Sequence, residues 1–477
     1  MKKSISKLMV IILLNTFILV ACGDKKITIE DKLDSDLPII IIDTKGKSVN
    51  ETDKITGVMK IFEGGIDVYN HTEYNFISQI GIKIRGNTTR KMPKKQYSIE
   101  LQDLNGNEQD ESILGMAKDS DWVLNAPFED KSLIRNYVAY TIAGEIMTYA
   151  PKSRFCEVYL IDDGSNEIKD EHFMGLYLMI EKIKRGEEKV DIFPTQDDQG
   201  ETSFIVAKDK QKDEDIIIPT YGNEIYLYDH NIIAVYPKRE ITNDQINYIG
   251  KTISEFERVL YSDKYDIPSE GYNEYIEVDS FVDYYLINEF FNNTDAGYVS
   301  TYIYKDYGEK IHAGPVWDFN ASLGNSNILN EYYDYTGFYM HNTTWFERLM
   351  GDKKFVSKVI KRYKELRKTY FSEEFLLNLI DETVESLDEA PQRNFNVWPF
   401  YICNQPEMFR NPYNDFQPYE HDIKLLEDYL QANPHLLYPT DGKASSYEEE
   451  IELLKEFIIN RIKWMDENID SLYKWTD

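Results

Sequence analysis

Two aspartates stand in stretches whose neighbours give them a chemical use. Asp295 closes Asn292-Asn293-Thr294-Asp295 behind an apolar, helix-like segment, and Asp318 lies in Gly314-Pro315-Val316-Trp317-Asp318-Phe319-Asn320. Between them, Tyr302-Ile303-Tyr304-Lys305-Asp306 reads as a strand. A hairpin's worth of chain can bring both carboxylates to one cleft, one as a proton acceptor and one as an oxygen ligand for a hard cation. The bland alternative stays open, because the chain has 84 acidic residues and aspartates at helix ends and turns need no ligand.

A basic cluster is the second local anomaly. Residues 81–95 hold Lys83, Arg85, Arg90, Lys91, Lys94 and Lys95 and no acid, in a chain of net charge −31. Gly86-Asn87-Thr88-Thr89 inside it is turn-like, and strand, polar turn and cationic strand together can hold phosphate oxygens. A solvated basic hairpin that balances nearby acid is the other reading. In Lys95-Gln96-Tyr97-Ser98-Ile99-Glu100-Leu101 a two-residue alternation puts Lys95 on the face of Tyr97, Ile99 and Leu101. A lysine there is costly unless an anion meets it or it snorkels past the strand end. No HExxH, GxSxG or Walker-type stretch occurs, and the seven histidines are dispersed without metal-ligand spacing.

The elements that must position these groups change character along the chain. Apolar runs at 37–42, 58–61, 79–85, 96–101, 155–161 and 175–180 read as strands. A helix interrupts them, capped by Asp130 or Ser132 and carrying Leu133, Ile134, Tyr137, Tyr140 and Ala143 at helical spacing. Residues 183–240 read as loops with a hairpin around 225–235. Beyond about residue 270 helices dominate: 278–291; the stripe Phe355, Val359, Tyr363, Leu366, Tyr370; a helix capped by Ser372; and a last helix with the capping pair Ser446 and Glu449. Strands followed by helices predict an α+β protein of two lobes.

The first residues address the chain to an envelope. Lys2, Lys3 and Lys7 precede a short apolar run at 9–20, too short for a comfortable span. The run ends in Leu19-Val20-Ala21-Cys22, which resembles a lipobox and predicts a signal peptide over 1–22 with diacylation of Cys22. Residues 23–36 read as a charged tether. Cys156 and Cys403 are the only other cysteines, which leaves one long-range bridge or two thiols as the alternatives. A balance of 53 basic against 84 acidic residues repels nucleic acid and anionic lipid, so neither is an expected partner.

Taken together, these residues resemble the spore-coat protein H (CotH) kinase family, an atypical protein-kinase fold. The resemblance runs from about 37 to 470, through Leu37-Pro38-Ile39-Ile40, Ile84-Arg85-Gly86-Asn87-Thr88-Thr89 and Pro93-Lys94-Lys95-Gln96-Tyr97. It continues through Trp122-Val123-Leu124-Asn125-Ala126, Asp130-Lys131-Ser132-Leu133-Ile134-Arg135-Asn136 and Gly175-Leu176-Tyr177-Leu178-Met179-Ile180-Glu181. Asn293-Thr294-Asp295 and Pro315-Val316-Trp317-Asp318-Phe319 are the most specific stretches.

That resemblance implies a strand-rich lobe over 37–181 and a helical lobe over 182–477, with ATP and Mg²⁺ or Mn²⁺ as cofactors. It makes Asp295 the base for an acceptor hydroxyl and Asp318 the metal ligand, with Asn320 beside it. Lys95 becomes the phosphate lysine, with Arg85 and Arg135 supporting the phosphates. Glu181 falls where kinases have the hinge, near the adenine, or else is a surface residue after a strand. Glu145 is the available partner for the lysine. Ser300 and Thr301 stand where kinases have an asparagine for a second metal, and Asn320 where many relatives have an aspartate. The implied activity is phosphorylation of Ser/Thr in exported or cell-surface proteins. A surface-binding pseudokinase, a kinase fold transferring another group, and an adhesion or glycan-handling lipoprotein are the rivals.

Overall fold

A computed structural model describes residues 35–476 apart from 65–72, 88, 197–199, 226–229, 327–331, 399 and 401–443. The expected signal peptide, Cys22, most of the tether and Cys403 lie outside the described residues.

The first half forms a closed seven-stranded barrel, which the sequence reading did not foresee. Its strands are β1 (Ile39–Asp43), β2 (Ile55–Phe62), β3 (Phe76–Arg85), β4 (Gln96–Gln102), β5 (Asp121–Asn125), β6 (Ser153–Ile161) and β7 (Phe173–Glu181), in the order β1-β2-β3-β4-β5-β7-β6. Neighbours are antiparallel except β1 and β6, whose parallel pairing closes the ring and removes the sheet edges. Alternate residues fill the interior, among them Ile40, Ile42, Ile80, Ile82, Ile99, Trp122, Leu124, Val158 and Met179. The opposite faces of β5, β6 and β7 send Val123, Phe155, Leu176, Leu178 and Ile180 into a second, larger core. Burial on both faces explains why β7 reads as an unbroken apolar run.

The second half begins with β8 (Phe204–Lys208), which lies in the stretch expected to be loops, whereas β10 (Thr301–Lys305) is the strand expected at 302–306. With β9 (Ile232–Tyr236) and β11 (His312–Ala313) they form an antiparallel sheet ordered β11-β10-β8-β9. β9 pairs with β8, while part of the hairpin expected around 225–235, residues 226–229, lies outside the described residues. Helix α1 (Arg135–Ile146) lies between the halves, and α2 (Asn243–Leu260) precedes the expected helical region. The signals for α2 were present: Thr242 and Gln245 form a reciprocal capping box, and Ile249, Ile253, Phe256 and Leu260 bury one stripe. Next come α3 (Val278–Phe290), α4 (Lys353–Leu366), α5 (Glu373–Leu387), α6 (Ala390–Val397) and α7 (Tyr447–Asn468). Ser372 caps α5 through the Phe375 N–H. Ser446 caps α7 through the Glu449 N–H, whereas the Glu449 carboxylate returns to the Ser445 N–H (2.6 Å), one residue before the expected partner. Among the described residues no helix is long and apolar enough to cross a membrane.

The two halves share the larger core. Apolar residues of α1 and of strands β5 to β7 pack with those of α2, α3, α4, α5 and α7, and Ser35–Asp477 clusters as one unit. α6 also returns to the barrel. Arg393 forms a bidentate pair with buried Glu157 (2.8 and 2.9 Å), and the Asn394 side-chain oxygen accepts from the Leu176 N–H (3.2 Å) and the Lys94 ammonium (2.7 Å). Gly175, at φ +86°, makes room for this, since a Cβ there would meet the Asn394 oxygen at 2.6 Å.

α3 is buried on nearly every side, and its one carboxylate near the C-terminal end, Glu289, is fully enclosed. Burial pushes that carboxyl upward, and the equally enclosed Arg461 of α7 opposes the push from 2.8 Å. The Tyr339 and Met340 N–H groups complete the shell of Glu289, while Arg461 also donates to the carbonyls of Tyr335, Gly337 and Glu289. Removing one partner of such a pair strands the other charge. Arg461→Met is expected to cost about 3–5 kcal/mol in urea unfolding, and Glu289→Gln with Arg461→Met less than the sum of the single changes. Additive losses would show that the pair is not coupled.

Candidate active site

The chain leaving α3 is shaped by asparagines. Asn292 takes φ +51°, which reverses the chain, and Asn293 is buried beneath it. The Asn293 amide donates to Asn288 Oδ1 (3.1 Å) and to the Asp318 carbonyl (3.3 Å), and its oxygen accepts the Asp295 N–H (3.3 Å). One side chain thus holds the backbones of both aspartates. The Asp295 carbonyl accepts from the N–H groups of Tyr298 (3.1 Å) and Val299 (3.0 Å), closing a tight loop before β10. Its carboxyl is half-buried and lies above the usual range: desolvation raises it, Lys210 opposes, and the charge of Asp209 adds to the rise.

Asp318 is held from α1. It sits at φ +61°, a region that aspartate tolerates better than most side chains. Its N–H donates to the Tyr140 hydroxyl (3.2 Å), and the next N–H, of Phe319, donates to Asn136 Oδ1 (2.8 Å). Because a backbone N–H only donates, it sets the orientation of the Asn136 amide. The Asn136 amine then donates to Asn320 Oδ1 (2.7 Å), and the Asn320 amine donates to Asp318 Oδ1 (2.5 Å). Asn320 therefore offers an amine to Asp318 and not a second oxygen beside it. Burial, followed by the Asp295 charge, pushes the Asp318 carboxyl up to about 6, with Asp209 adding and Arg85 opposing.

Arg85, the last residue of β3, faces Asp318, as Lys210 faces Asp295. Its guanidinium donates to Gln96 Oε1 (3.3 Å) and lies 5.8 Å from the Trp317 ring, beside Asp318. Among the described residues no carboxylate forms an ion pair with it. Asp209 was not anticipated. It follows β8, where Lys208 is paired with Thr301 of β10, so the register sets it at the sheet end that leads back to Asp295. The available signal was the apolar strand 204–207 followed, after Lys208, by an acidic residue, a form close to the one that drew attention to Asp318.

The remaining expected site residues have partners of their own. β4 begins only at Gln96, so the alternation does not extend to Lys95, whose half-buried ammonium donates to the Arg90 carbonyl (2.8 Å). Its neighbour Lys94 is the enclosed lysine, bound to the Leu176 carbonyl and Asn394, and burial holds its pKa well below the usual lysine value. Arg135 is fully buried. It pairs with Asp130 (2.6 Å) and Glu450 (2.8 Å) and donates to the carbonyls of Ser322 and Leu323, so it braces the loop that follows Asp318. Glu181 is not a surface residue. Its carboxylate is enclosed and accepts from the Ala117 N–H (2.9 Å), the Lys152 N–H (3.0 Å) and the Tyr149 hydroxyl (3.1 Å). Glu145 is exposed and interacts with Tyr370.

The charges of Asp295 and Asp209 raise Asp318, and that of Asp209 raises Asp295. Three carboxylates of the kind a hard cation such as Mg²⁺ or Mn²⁺ prefers thus share one neighbourhood, although their oxygens do not all lie within 4.8 Å of one another. A second acidic group, Asp163, Glu171 and His172 near the start of β7, already holds a cation. Lys169 bridges Asp163 (3.3 Å) and Glu171 (3.1 Å), and its N–H occupies His172 Nδ1.

The model of the family described as CotH kinase protein matches residues 82–465. The chain is 22% identical over 400 residues to the inner spore coat protein H of Bacillus subtilis (strain 168), covering 82% of this chain and 92% of that protein.

The raised Asp318 carboxyl fixes the sign of a pH effect. Its folded pKa of about 6 lies above the ordinary 3.8, so its contribution to stability is complete below the unfolded value and is lost as pH rises through about 6. Asp318→Asn is therefore expected to stabilise the metal-free protein by on the order of 2 kcal/mol at pH 8 and by almost nothing at pH 4. Denaturation of both proteins across that range checks it; equal stability at pH 8 would show that Asp318 carries no such penalty.

Proposed function

The chain belongs to the CotH kinase protein family, and we propose that it is an ATP- and divalent-metal-dependent phosphotransferase that phosphorylates Ser/Thr of exported or cell-surface proteins. The observation that carries this reading is the pairing of Asp295 with Asp318. One asparagine braces both backbones, the two carboxylates repel each other, and an arginine without a carboxylate partner among the described residues faces them. On this reading the barrel half and the helical half correspond to the small and large lobes of a kinase-like fold.

A divalent cation held by Asp318, with Asp209 near, would neutralise phosphate charge and take the place of the proton that Asp318 otherwise retains near pH 6. The protein's own groups do the rest. Arg85 meets phosphate oxygens at the mouth of the barrel, with Lys95 behind the same turn. Asn320 and Asn136 hold Asp318 in one rotamer, which removes reorganisation from the reaction. Asp295 accepts the proton of an acceptor hydroxyl as its oxygen forms a bond to the γ-phosphorus and the bond to the ADP oxygen breaks. A carboxylate raised by burial is a better base than one in water.

Location follows from the leader and the relative together. A lipobox-like Leu19-Val20-Ala21-Cys22 supports an extracytoplasmic protein anchored through Cys22, and the similar protein from Bacillus is named for the spore coat. The tether would then set the domain on the outer side of the membrane, among exported acceptors.

Two measurements test these points. Calorimetric titration of the chain lacking residues 1–22 with Mn²⁺–ATP is expected to show metal-dependent binding that Asp318→Ala abolishes and that Arg85→Ala and Lys95→Ala weaken about tenfold or more. Asp295→Asn should retain binding and lose about 10²–10⁴-fold in transfer rate. Absence of nucleotide binding by the unsubstituted protein would overturn the assignment in favour of a kinase-shaped binding protein. For the anchor, Cys22→Ser is expected to move the full chain from the membrane fraction to the soluble one; unchanged membrane association would remove the lipid anchor from the reading.

A further inference from the structure

β8 carries an ammonium on the wrong face. Phe204 and Val206 point into the larger core, and Lys208, two residues further on the same face, is 1% exposed. A lysine in that position is costly unless its protons meet acceptors. They do: Lys208 Nζ donates to the Gly297 carbonyl (2.5 Å) and to the Thr344 hydroxyl, and lies 5.9 Å from the Tyr298 ring. The carbonyl it grips is two residues past Asp295.

The same residue is held through its other backbone group. The Gly297 N–H donates to Thr301 Oγ1 (2.9 Å), whose hydroxyl in turn donates to the Val299 carbonyl (3.0 Å). Lys208 and Thr301 are cross-strand partners, so one rung of the sheet supplies both clamps. Gly297 stands at φ +81°, and a Cβ there would meet the Thr343 side chain at 2.3–2.4 Å, which leaves the loop no room to shift toward that wall. Asn293 fixes the N-terminal side of Asp295, and the clamp on Gly297 fixes the C-terminal side.

We propose that Lys208 is a positioning residue: its buried ammonium pins the 295–301 loop through the Gly297 carbonyl and so holds the Asp295 carboxylate in place for the acceptor hydroxyl. The catalytic half of this inference rests on the role proposed for Asp295, whereas the pin itself does not. A misplacement of about 1 Å costs on the order of 10²-fold in rate, with little effect on substrate groups bound elsewhere. Lys208 thus acts on turnover and not on nucleotide or metal binding.

Hydrogen exchange and kinetics separate the two halves. In Lys208→Met, amides 297–301 are expected to exchange at least tenfold faster than in the unsubstituted full chain, while exchange in the barrel strands stays the same. The transfer rate should fall about 10²-fold with the KM for Mn²⁺–ATP within about twofold. If Lys208→Met does not fold, Thr344→Val, which removes only the second acceptor, should give a smaller rise in exchange confined to the same amides. Unchanged exchange at 297–301 in whichever variant folds overturns the pin. Faster exchange with an unaltered transfer rate overturns the positioning role. Faster exchange in a protein whose unsubstituted form binds no nucleotide supports the pin and places the failure in the proposed function alone.

Discussion

The structure depends on a helix, α3, that is buried along most of its length. α3 is enclosed by the second sheet, α4, α7 and the loops after β11, so its position is decided by packing on most sides. Enclosure on that scale forces its polar atoms to find partners within the protein. Glu289 finds Arg461 and two backbone N–H groups, and Asn288 finds the Tyr284 carbonyl and the Asn293 amide. Because α3 cannot move, the chain that leaves it, from Asn292 to Asp295, starts from a fixed point.

A fixed starting point does not by itself bring two aspartates together. α1 does that work from the other direction. It buries Val138, Ala139, Ile142 and Ala143 in the shared core, and its first turns spend their polar groups on the segment after β11. Asn136 and Tyr140 receive the N–H groups of Phe319 and Asp318, and Arg135 grips the carbonyls of Ser322 and Leu323. The site thus forms where three separately anchored segments meet: the exit of α3, the stretch held by α1, and the end of β8. Arg85 reaches it from the barrel. In a chain of net charge −31, desolvated carboxylates gathered in one place create a demand for cations that Arg85 and Lys210 meet only in part.

The sequence was informative about the site in proportion to how local its signals were. Asp295 and Asp318 stood out because apolar and aromatic neighbours announced strands and a helix end around them. Arg85 stood out because its cluster opposed the charge of the whole chain. Arg135 and Glu181 read as candidate ligands, since a charged side chain beside apolar sequence looks functional until its partners are known. Their partners lie far along the chain: Glu450 and Leu323 for Arg135, Ala117 and Lys152 for Glu181. Lys95 and Lys94 were exchanged by a single residue of strand boundary, the property that alternation locates least well.

What the sequence determined on its own was most strands of the first half and the later helices, several of their caps, the two candidate aspartates, and the family to which the chain belongs. Periodicity, capping pairs and turn residues are written within a few positions of one another, so they survive without the fold. Closure of the barrel, the pairing of β8 with both β9 and β10, and the arrival of Asp209 and Lys208 beside Asp295 were decided only in the tertiary structure. Each of these joins residues separated by some twenty to more than a hundred positions, and burial then sets the protonation and partners of the groups it joins. Such terms depend on distance through space and on the removal of water, and neither is written in the spacing of residues along a chain.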